Sequence, residues 1–387
     1  MNKRLVFIDG LRGVLAMIVF NYHFCYTFCP EFIFGTPSSS PHFSLSQWAA
    51  LTPLNFLFNP ALAIHLFFVA SGFAQTQHYF NSNDALSLKK AILKRYFRLA
   101  FPVLIVLMLV YVCHQFSWLQ KNSFSSSKLT NAWFQNLLPN NLTLLQVVKH
   151  GFVDAFISNS HYYSVLWTMP IELRVSCLTL ILLLFTHRLK NKTVVITTLL
   201  LYSFIAETSF YALGFVFGVI LAFLNSVGFT NQFRKVKGIK YVLFFFGIYL
   251  GTYPFTTYVG SIGISIYQPL SFLESWYINP TYITAAVLLF SFLMLSSTAL
   301  HLLSTTLFSF LGKISFMIYL VHLLVIVVFS TKLYSYFLGQ SNSTIYTVLI
   351  CYLVTSAIVI ALSHFLYLFT EKPFLRFLNR KAKKITA

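Results

Sequence analysis

An arginine and a histidine stand eleven residues apart in the first apolar stretch of the chain, at Arg12 and His23. Eleven residues are close to three whole helical turns, so both side chains share one helix face, separated by roughly 16 Å along the axis. A histidine with its ordinary pKa of about 6.5 can exchange protons at neutral pH, and an arginine can hold an anion. The spacing indicates a site in which an anionic molecule reaches a proton-transferring histidine. A capping arginine and a histidine hydrogen-bonded within a helix bundle would leave the same pattern.

Two more histidines stand in later apolar stretches and are candidates for the same site. His65 precedes the run Phe67-Phe68-Val69-Ala70-Ser71-Gly72-Phe73, and His322 ends the run Tyr319-Leu320-Val321-His322. We expect His65, His322 and Tyr319 to contact substrate, with His65 in the same cavity as His23. The small residues at 70–72 predict close approach of another helix.

A carboxylate stands within the apolar stretch that begins Trp167-Thr168-Met169-Pro170-Ile171-Glu172. A glutamate in a membrane span is costly and usually has a polar partner, and Pro170 kinks or breaks the helix there. Glu172 could pair with His23, orienting the ring and stabilising its protonated form, or with an arginine from another helix. We expect a catalytic role for Glu172 and a substrate contact for Trp167, with a purely structural ion pair as the alternative.

Arg95 and Arg98 stand three residues apart before Pro102, at the start of another apolar stretch. Two guanidinium groups at this spacing form a cationic fork that suits phosphate oxygens. A cluster that only sets membrane topology is the alternative reading.

The composition indicates that these residues lie in a membrane protein. Of 387 residues, 27 are basic and 8 acidic, so 9% are charged and 57% are hydrophobic, whereas an ordinary soluble domain carries about 25% charged residues. This excludes a soluble enzyme and a disordered chain. The net charge of +19 lies in short clusters between apolar runs, which favours an anionic membrane leaflet over nucleic acid as the partner.

We predict an all-α protein with about ten transmembrane helices, forming a single polytopic domain over residues 1–387. The predicted spans are 8–28, 61–80, 99–118, 164–186, 193–207, 209–227, 241–258, 281–300, 314–330 and 345–369. With these spans, 21 basic residues fall on one side of the membrane and four on the other. Because basic residues concentrate on the cytoplasmic side, both termini are expected to be cytoplasmic.

Taken in order, these segments resemble the acyltransferase family 3 of integral membrane proteins. The resemblance begins with Phe7-Ile8-Asp9-Gly10-Leu11-Arg12-Gly13, followed by His23, and covers nearly the whole chain. It continues through the segment 67–73, the Arg95/Arg98 pair, and Trp167 to Glu172. It ends with Tyr319 to His322 and Glu371-Lys372-Pro373.

The resemblance implies transfer of an acyl group, usually acetyl from acetyl-CoA, to a hydroxyl of a glycan. Typical acceptors are lipopolysaccharide, an exopolysaccharide or a lipid-linked sugar. The family's functional residues correspond here to Arg12, His23, Arg95 and Arg98. The fourth-span motif is more often Trp-Ser-Leu-x-x-Glu, so Thr168, Met169 and Pro170 suggest a subgroup and leave the acceptor open. We expect no appended soluble domain in these residues.

The expected chemistry uses His23 as general base, with Arg12 and Glu172 in support and Arg95 and Arg98 holding the donor's phosphates. An acyl-histidine intermediate is the lesser alternative. The five cysteines lack zinc spacing, and we expect no metal. The expected partners are acyl-CoA, a glycan or lipid-linked saccharide, and membrane lipid, in a multi-pass protein of the cytoplasmic or plasma membrane. A transporter or flippase for a lipid-linked sugar or acyl group stays open as a second class.

Overall fold

The computed structural model of the chain describes residues 5–34, 49–119, 133–137, 143–157, 162–188, 210–254, 266–270, 278–339 and 344–385. Within these ranges the chain forms helices and no β-strand. The predicted all-α class is therefore confirmed for the part of the chain that the structure describes. The predicted span 193–207 lies outside the described residues.

The longer helices are labelled here in chain order. They are α1 (Val6–Phe28), α2 (Pro60–Ser82), α3 (Ala85–Gln115), α4 (Met169–Phe185), α5 (Phe210–Ser226), α6 (Ile239–Gly251), α7 (Ile278–Leu295), α8 (Thr306–Val325), α9 (Thr344–Leu366) and α10 (Lys372–Ile385). Shorter α-helices cover Glu31–Phe34, Leu144–Lys149, Ala155–Ile157, Phe229–Phe233, Ser297–Leu303 and Thr331–Gly339, and 3₁₀ turns cover Pro53–Phe58 and Ser164–Thr168. Single π-helical turns cover His150–Asp154, Ile326–Ser330 and Tyr367–Glu371. The last of these joins α9 to α10, so the two continue one another.

Five helical stretches in the described residues are long and apolar enough to cross a membrane. They are Val6–Phe28, Ala85–Gln115, Ser164–Phe185, Thr306–Phe337 and Ile345–Ala382. A sixth is formed if Pro280–Leu295 and Ser297–Leu303, which are bent by 96° at their junction, count as one broken span. The helices α5 and α6 are apolar but shorter. The chain is therefore built as a membrane protein, and the figure of ten spans stays a prediction.

A tight turn joins α2 to α3. Asn83 ends α2 in the left-handed conformation, at φ 50°, which asparagine tolerates better than most residues. Asp84 then accepts a hydrogen bond of 2.9 Å from the backbone N–H of Leu86 and caps the start of α3. Lys94, Arg95 and Arg98 of α3 line one space together with the last turns of α2.

Glycines let the helices around the site touch through their backbones. A Cβ placed on Gly312 of α8 would lie 2.1 Å from the carbonyl oxygen of Asp9 in α1, and a Cβ on Gly72 of α2 would lie 2.0 Å from that of Phe215 in α5. The reciprocal glycine Gly218 of α5 is equally close to the backbone of α2. The predicted close approach at residues 70–72 is confirmed. These contacts fix the helices that carry Arg12 and His322.

We expect Gly312→Ala to destabilise the protein by about 1–3 kcal/mol or more, because the added methyl group pushes α8 away from the backbone of α1. The measurement is the midpoint of thermal unfolding in detergent. Gly214→Ala in α5 is the matched control, since its Cβ would meet no atom closer than 3.5 Å. Equal midpoints for the two variants would show that α1 and α8 have room to separate.

Candidate functional site

A cavity of about 170 Å³ lies inside the bundle, between α1, α2, α3, α4, α8 and the junction of α9 with α10. We call it the inner chamber. It continues into a wider space of about 1070 Å³ beside the last turns of α2, the first turns of α3 and α10, which we call the vestibule. The two spaces share a set of wall residues, namely Asp9, Arg12, Arg95, Arg98, Tyr367 and Leu375. Any molecule passing from vestibule to chamber therefore passes three arginines.

Arg12 lies at this junction on α1. Its Nη2 donates a hydrogen bond of 3.3 Å to the Ser71 hydroxyl of α2, and its guanidinium carbon lies 5.5 Å from the centre of the Phe67 ring. These contacts hold the group flat against α2, as a cation over an aromatic face. Nε of Arg12 is buried without a hydrogen-bond partner. The arginine is therefore anchored on one edge and can still bind a ligand.

Arg95 and Glu172 form a buried ion pair in the chamber wall. Nη2 of Arg95 donates to Oε1 of Glu172, and Nε of Arg95 donates to the Ser176 hydroxyl at 2.8 Å. Of the two partners considered from the sequence, Glu172 thus takes an arginine. The expected pairing of Glu172 with His23 is wrong, because α4 places this carboxylate beside Arg95 of α3 and away from the second half of α1, which carries His23.

Arg98 differs from Arg95 in having no such partner. It lines both the vestibule and the inner chamber, and within the described residues it forms no hydrogen bond or ion pair. Its side chain is exposed, and that exposure is toward the two cavities. An arginine that keeps all its donors available beside a cavity can bind an anion without first breaking a bond inside the protein.

His23 pairs with His322 of α8. Nε2 of His322 lies 3.0 Å from Nδ1 of His23, and the ring centroids are 4.9 Å apart. In each ring Nδ1 also faces a backbone carbonyl one turn earlier, Val19 at 2.9 Å and Ile318 at 3.0 Å. Because a carbonyl only accepts, each Nδ1 carries the proton, and Nε2 of His322 accepts from His23. This leaves Nε2 of His23 as an unprotonated nitrogen without a hydrogen-bond partner in the described residues.

Tyr319 closes the end of the inner chamber nearest to the two histidines. Its hydroxyl donates to the carbonyl oxygen of Val165 at 2.7 Å and lies 2.9 Å from the Thr168 hydroxyl. The chamber reaches Tyr319 on α8 and Val19 on α1. Both residues lie about one helical turn before the histidine of their own helix. The chamber therefore ends at the Tyr319 ring, whose centroid lies 6.2 Å from that of His322.

Trp167 and His65 belong to a different cluster. The Trp167 ring packs edge-on against Tyr211 at 5.1 Å, and His65 packs against Tyr211 at 4.3 Å and Tyr282 at 6.0 Å. His65 is fully buried, and neither residue lines the inner chamber. The expectation that His65 shares a cavity with His23 is wrong, because the face of α2 that carries His65 turns toward α5 and α7.

Two contributors to the site had no clear signal in the sequence. Trp133 stacks on His23 with ring centroids 5.7 Å apart and planes 13° apart, yet it comes from the short described segment 133–137. Ser176 positions Arg95, and the only hint was its place four residues after Glu172, one helical turn along the same face. Among the described residues no cluster of three or more histidine, cysteine or acidic side chains could hold a metal ion.

Two comparisons of the sequence with known proteins gave a match. A family model described as an acyltransferase domain matches residues 5–364. The O-acetyltransferase PaAT-1 of Phomopsis amygdali is 26% identical over 209 residues, which are 48% of this chain and 41% of that protein. This chain thus spans about two fifths of the length of the relative. No solved structure shows a significant match.

Proposed function

This chain belongs to the acyltransferase family whose model covers residues 5–364, and we propose that it is a membrane-bound O-acyltransferase. It moves an acyl group, acetyl in the simplest case, from cytoplasmic acyl-CoA to a hydroxyl of a cell-surface glycan or lipid-linked saccharide. The family and the O-acetyltransferase relative support the acyl transfer. The observation that carries the mechanism is the contact between His23 and His322.

In this mechanism Nε2 of His23 is the general base. It takes the proton of the acceptor hydroxyl while the hydroxyl oxygen attacks the thioester carbonyl carbon. The tetrahedral intermediate then breaks its carbon–sulfur bond, and the leaving thiolate takes the proton back from Nε2. The products are an O-acyl ester and free coenzyme A.

His322 is a positioning residue in this step. Protonation of Nε2 makes His23 an imidazolium whose Nδ1–H still points at the neutral Nε2 of His322, 3.0 Å away. A hydrogen bond to a charged donor is stronger than one between neutral groups, so the contact stabilises the protonated ring. The Val19 carbonyl fixes the orientation of the same ring. His322 thereby performs the task that the sequence suggested for Glu172.

The arginines at the passage between vestibule and inner chamber suit an acyl-CoA donor. Coenzyme A is a polyanion, and Arg12 and Arg98 line the passage between vestibule and chamber with donors still available. Phosphates held there would leave the pantetheine arm to extend through the chamber toward Tyr319. Arg95 contributes charge to the same passage but is already bound to Glu172.

We expect Arg98→Ala to raise the Michaelis constant for acetyl-CoA about tenfold, since a hydrogen bond to a charged group contributes about 1.5–3 kcal/mol. Arg98→Lys should restore only part of the affinity, because an ammonium group lacks the planar fork. Steady-state kinetics with varied donor measures both. The turnover number should change little, and a fall in turnover at constant Michaelis constant would contradict a role in phosphate binding.

The proposed function is tested with the purified protein in nanodiscs. With [¹⁴C]acetyl-CoA on the cytoplasmic face and total glycolipid extract as acceptor, the enzyme releases free thiol and forms an alkali-labile radioactive ester. A transporter would move label across the bilayer without releasing thiol. If protein that binds acetyl-CoA forms neither ester nor free thiol with any glycan fraction tried, the result would argue that it is a transporter or flippase.

A further inference from the structure

The vestibule has two chemically different walls. The wall formed by α3 is cationic and includes Lys94, Arg95 and Arg98. The facing wall is formed by the last turns of α2, whose lining side chains are uncharged or neutral-capable and, apart from Ala74, polar: Gln75, Gln77, His78, Asn81 and Ser82. A ligand that fits such a space has an anionic part and an uncharged part with hydrogen-bonding edges.

Gln75 lies on the α2 wall with both hydrogen-bonding groups of its side chain unused. Its Nε2 and Oε1 are both buried, and neither has a hydrogen-bond partner among the described residues. The neighbouring Gln77 is half satisfied, because its Nε2 donates to Oδ1 of Asn81 at 2.9 Å and only its Oε1 has no partner. A buried amide with neither group paired is unfavourable and rare in folded proteins, which indicates that something else completes it.

The position of Gln75 relative to the arginines follows from the helix. Gln75 comes four residues after Ser71, the hydroxyl that binds Arg12, and residues four apart share a helix face at a rise of about 6 Å. Gln75 therefore lies one turn further from the histidines than the arginine junction. If the acyl end of a donor points toward the histidines and its phosphates lie at the arginines, the part on the other side of the phosphates reaches this turn.

We propose that the Gln75 amide binds the edge of the adenine base of the acyl donor. A glutamine amide offers one donor and one acceptor side by side, which matches the amino group and ring nitrogen along one edge of adenine. The uncharged base then lies on the α2 wall, and its phosphates lie on the cationic α3 wall. This inference rests on the proposed function, because it takes acyl-CoA as the donor.

The test compares the affinity of Gln75→Leu and wild-type protein for three probes in detergent. The probes are coenzyme A, adenosine 3′,5′-bisphosphate, and 4′-phosphopantetheine, which has no base. We expect the dissociation constants of the two adenine-containing probes to rise about tenfold, the effect of losing one paired contact to a base edge. The constant for 4′-phosphopantetheine should not change.

Thr76→Val is the matched control, because Thr76 is the next residue of α2, is fully buried, and bonds only the carbonyl of Gly72 at 2.8 Å. It should bind all three probes like the wild type. Gln75→Met serves as a second apolar variant if Gln75→Leu has a lowered unfolding midpoint. Equal effects on all three probes, or none on any, would overturn the assignment of Gln75 while leaving the acyl-CoA donor in place. A wild-type protein that binds none of the probes would instead overturn the proposed function.

Discussion

Replacing His23 by alanine is expected to reduce acyl transfer by a factor of about 10²–10⁴ while binding of acetyl-CoA survives. The loss is that of a general base, and binding survives because His23 lies beyond the chamber end formed by Tyr319 and Val19. The measurement pairs ester formation under saturating donor with the dissociation constant of acetyl-CoA. His364→Ala is the control, since His364 is a histidine of α9 packed on Phe310 at 5.1 Å, away from the chamber.

The same experiment extended to His322 separates a positioning role from a direct one. His322→Ala removes the acceptor of the Nδ1–H of His23 but leaves the Val19 carbonyl, so the rate should fall less than in His23→Ala. His322→Gln should recover part of the loss, because an amide oxygen also accepts a hydrogen bond. If the two rings work as a unit, the double variant is little slower than His23→Ala alone. A folded His23→Ala protein that acylates at near-normal rate would remove His23 from the chemistry.

The sequence located the histidine of α1 but not its partner. The spacing of Arg12 and His23 translates into a distance and a shared face because an α-helix is regular, and the structure keeps both in one continuous helix. The contact of His23 with His322 joins residues 299 positions apart. Such a contact depends on how α1 packs against α8 through Gly13 and Gly312, which no local pattern specifies.

The partner of Glu172 could likewise be predicted only in part from the sequence. A carboxylate in an apolar helix predicts that a polar partner exists, and the ion pair with Arg95 satisfies that expectation. Whether Glu172 meets a histidine or an arginine depends on how far along the bundle axis its helix places the carboxylate. Thr168, one turn before Glu172, is already level with Tyr319, so the carboxylate points away from His23 and toward the arginines.

In α2, helix length and hydropathy point to different conclusions about membrane spanning. This helix has 23 residues, enough to span a bilayer, yet it is not among the helices apolar enough to qualify as spans in the described part of the chain. It carries Ser71, Gln75 and Gln77 because its neighbours bury it from lipid and its inner face lines the vestibule. Hydropathy reports contact with lipid, whereas a helix in the centre of a bundle follows its protein neighbours and its cavity.

The second large effect is expected at the buried pair of Glu172 and Arg95. Glu172→Gln leaves the Arg95 guanidinium buried without its counter-charge, and breaking a buried pair from one side costs about 3–5 kcal/mol. The unfolding midpoint in detergent should fall strongly. Lys149→Gln is the comparison, because Lys149 is 67% exposed and pairs with Asp154 at 3.7 Å. An exposed pair contributes about 0–1 kcal/mol, so that midpoint should move little.

Removing both charges shows whether the ion pair only stabilises the fold or also helps to bind the acyl donor. In Arg95→Met combined with Glu172→Leu no buried charge is left unpaired, and apolar groups of similar volume often replace a buried ion pair without loss of stability. We therefore expect the double variant to unfold nearer to the wild-type temperature than Glu172→Gln does. Its affinity for acetyl-CoA should still be reduced, because the passage between vestibule and chamber has lost one of its three cations.

If the stable double variant binds acetyl-CoA as tightly as the wild type, Arg95 holds the bundle together and Arg12 and Arg98 alone hold the phosphates. If the double variant is as unstable as Glu172→Gln, the ion pair is not the main source of the instability, and the fold needs another contact of these side chains, such as the hydrogen bond from Arg95 to Ser176.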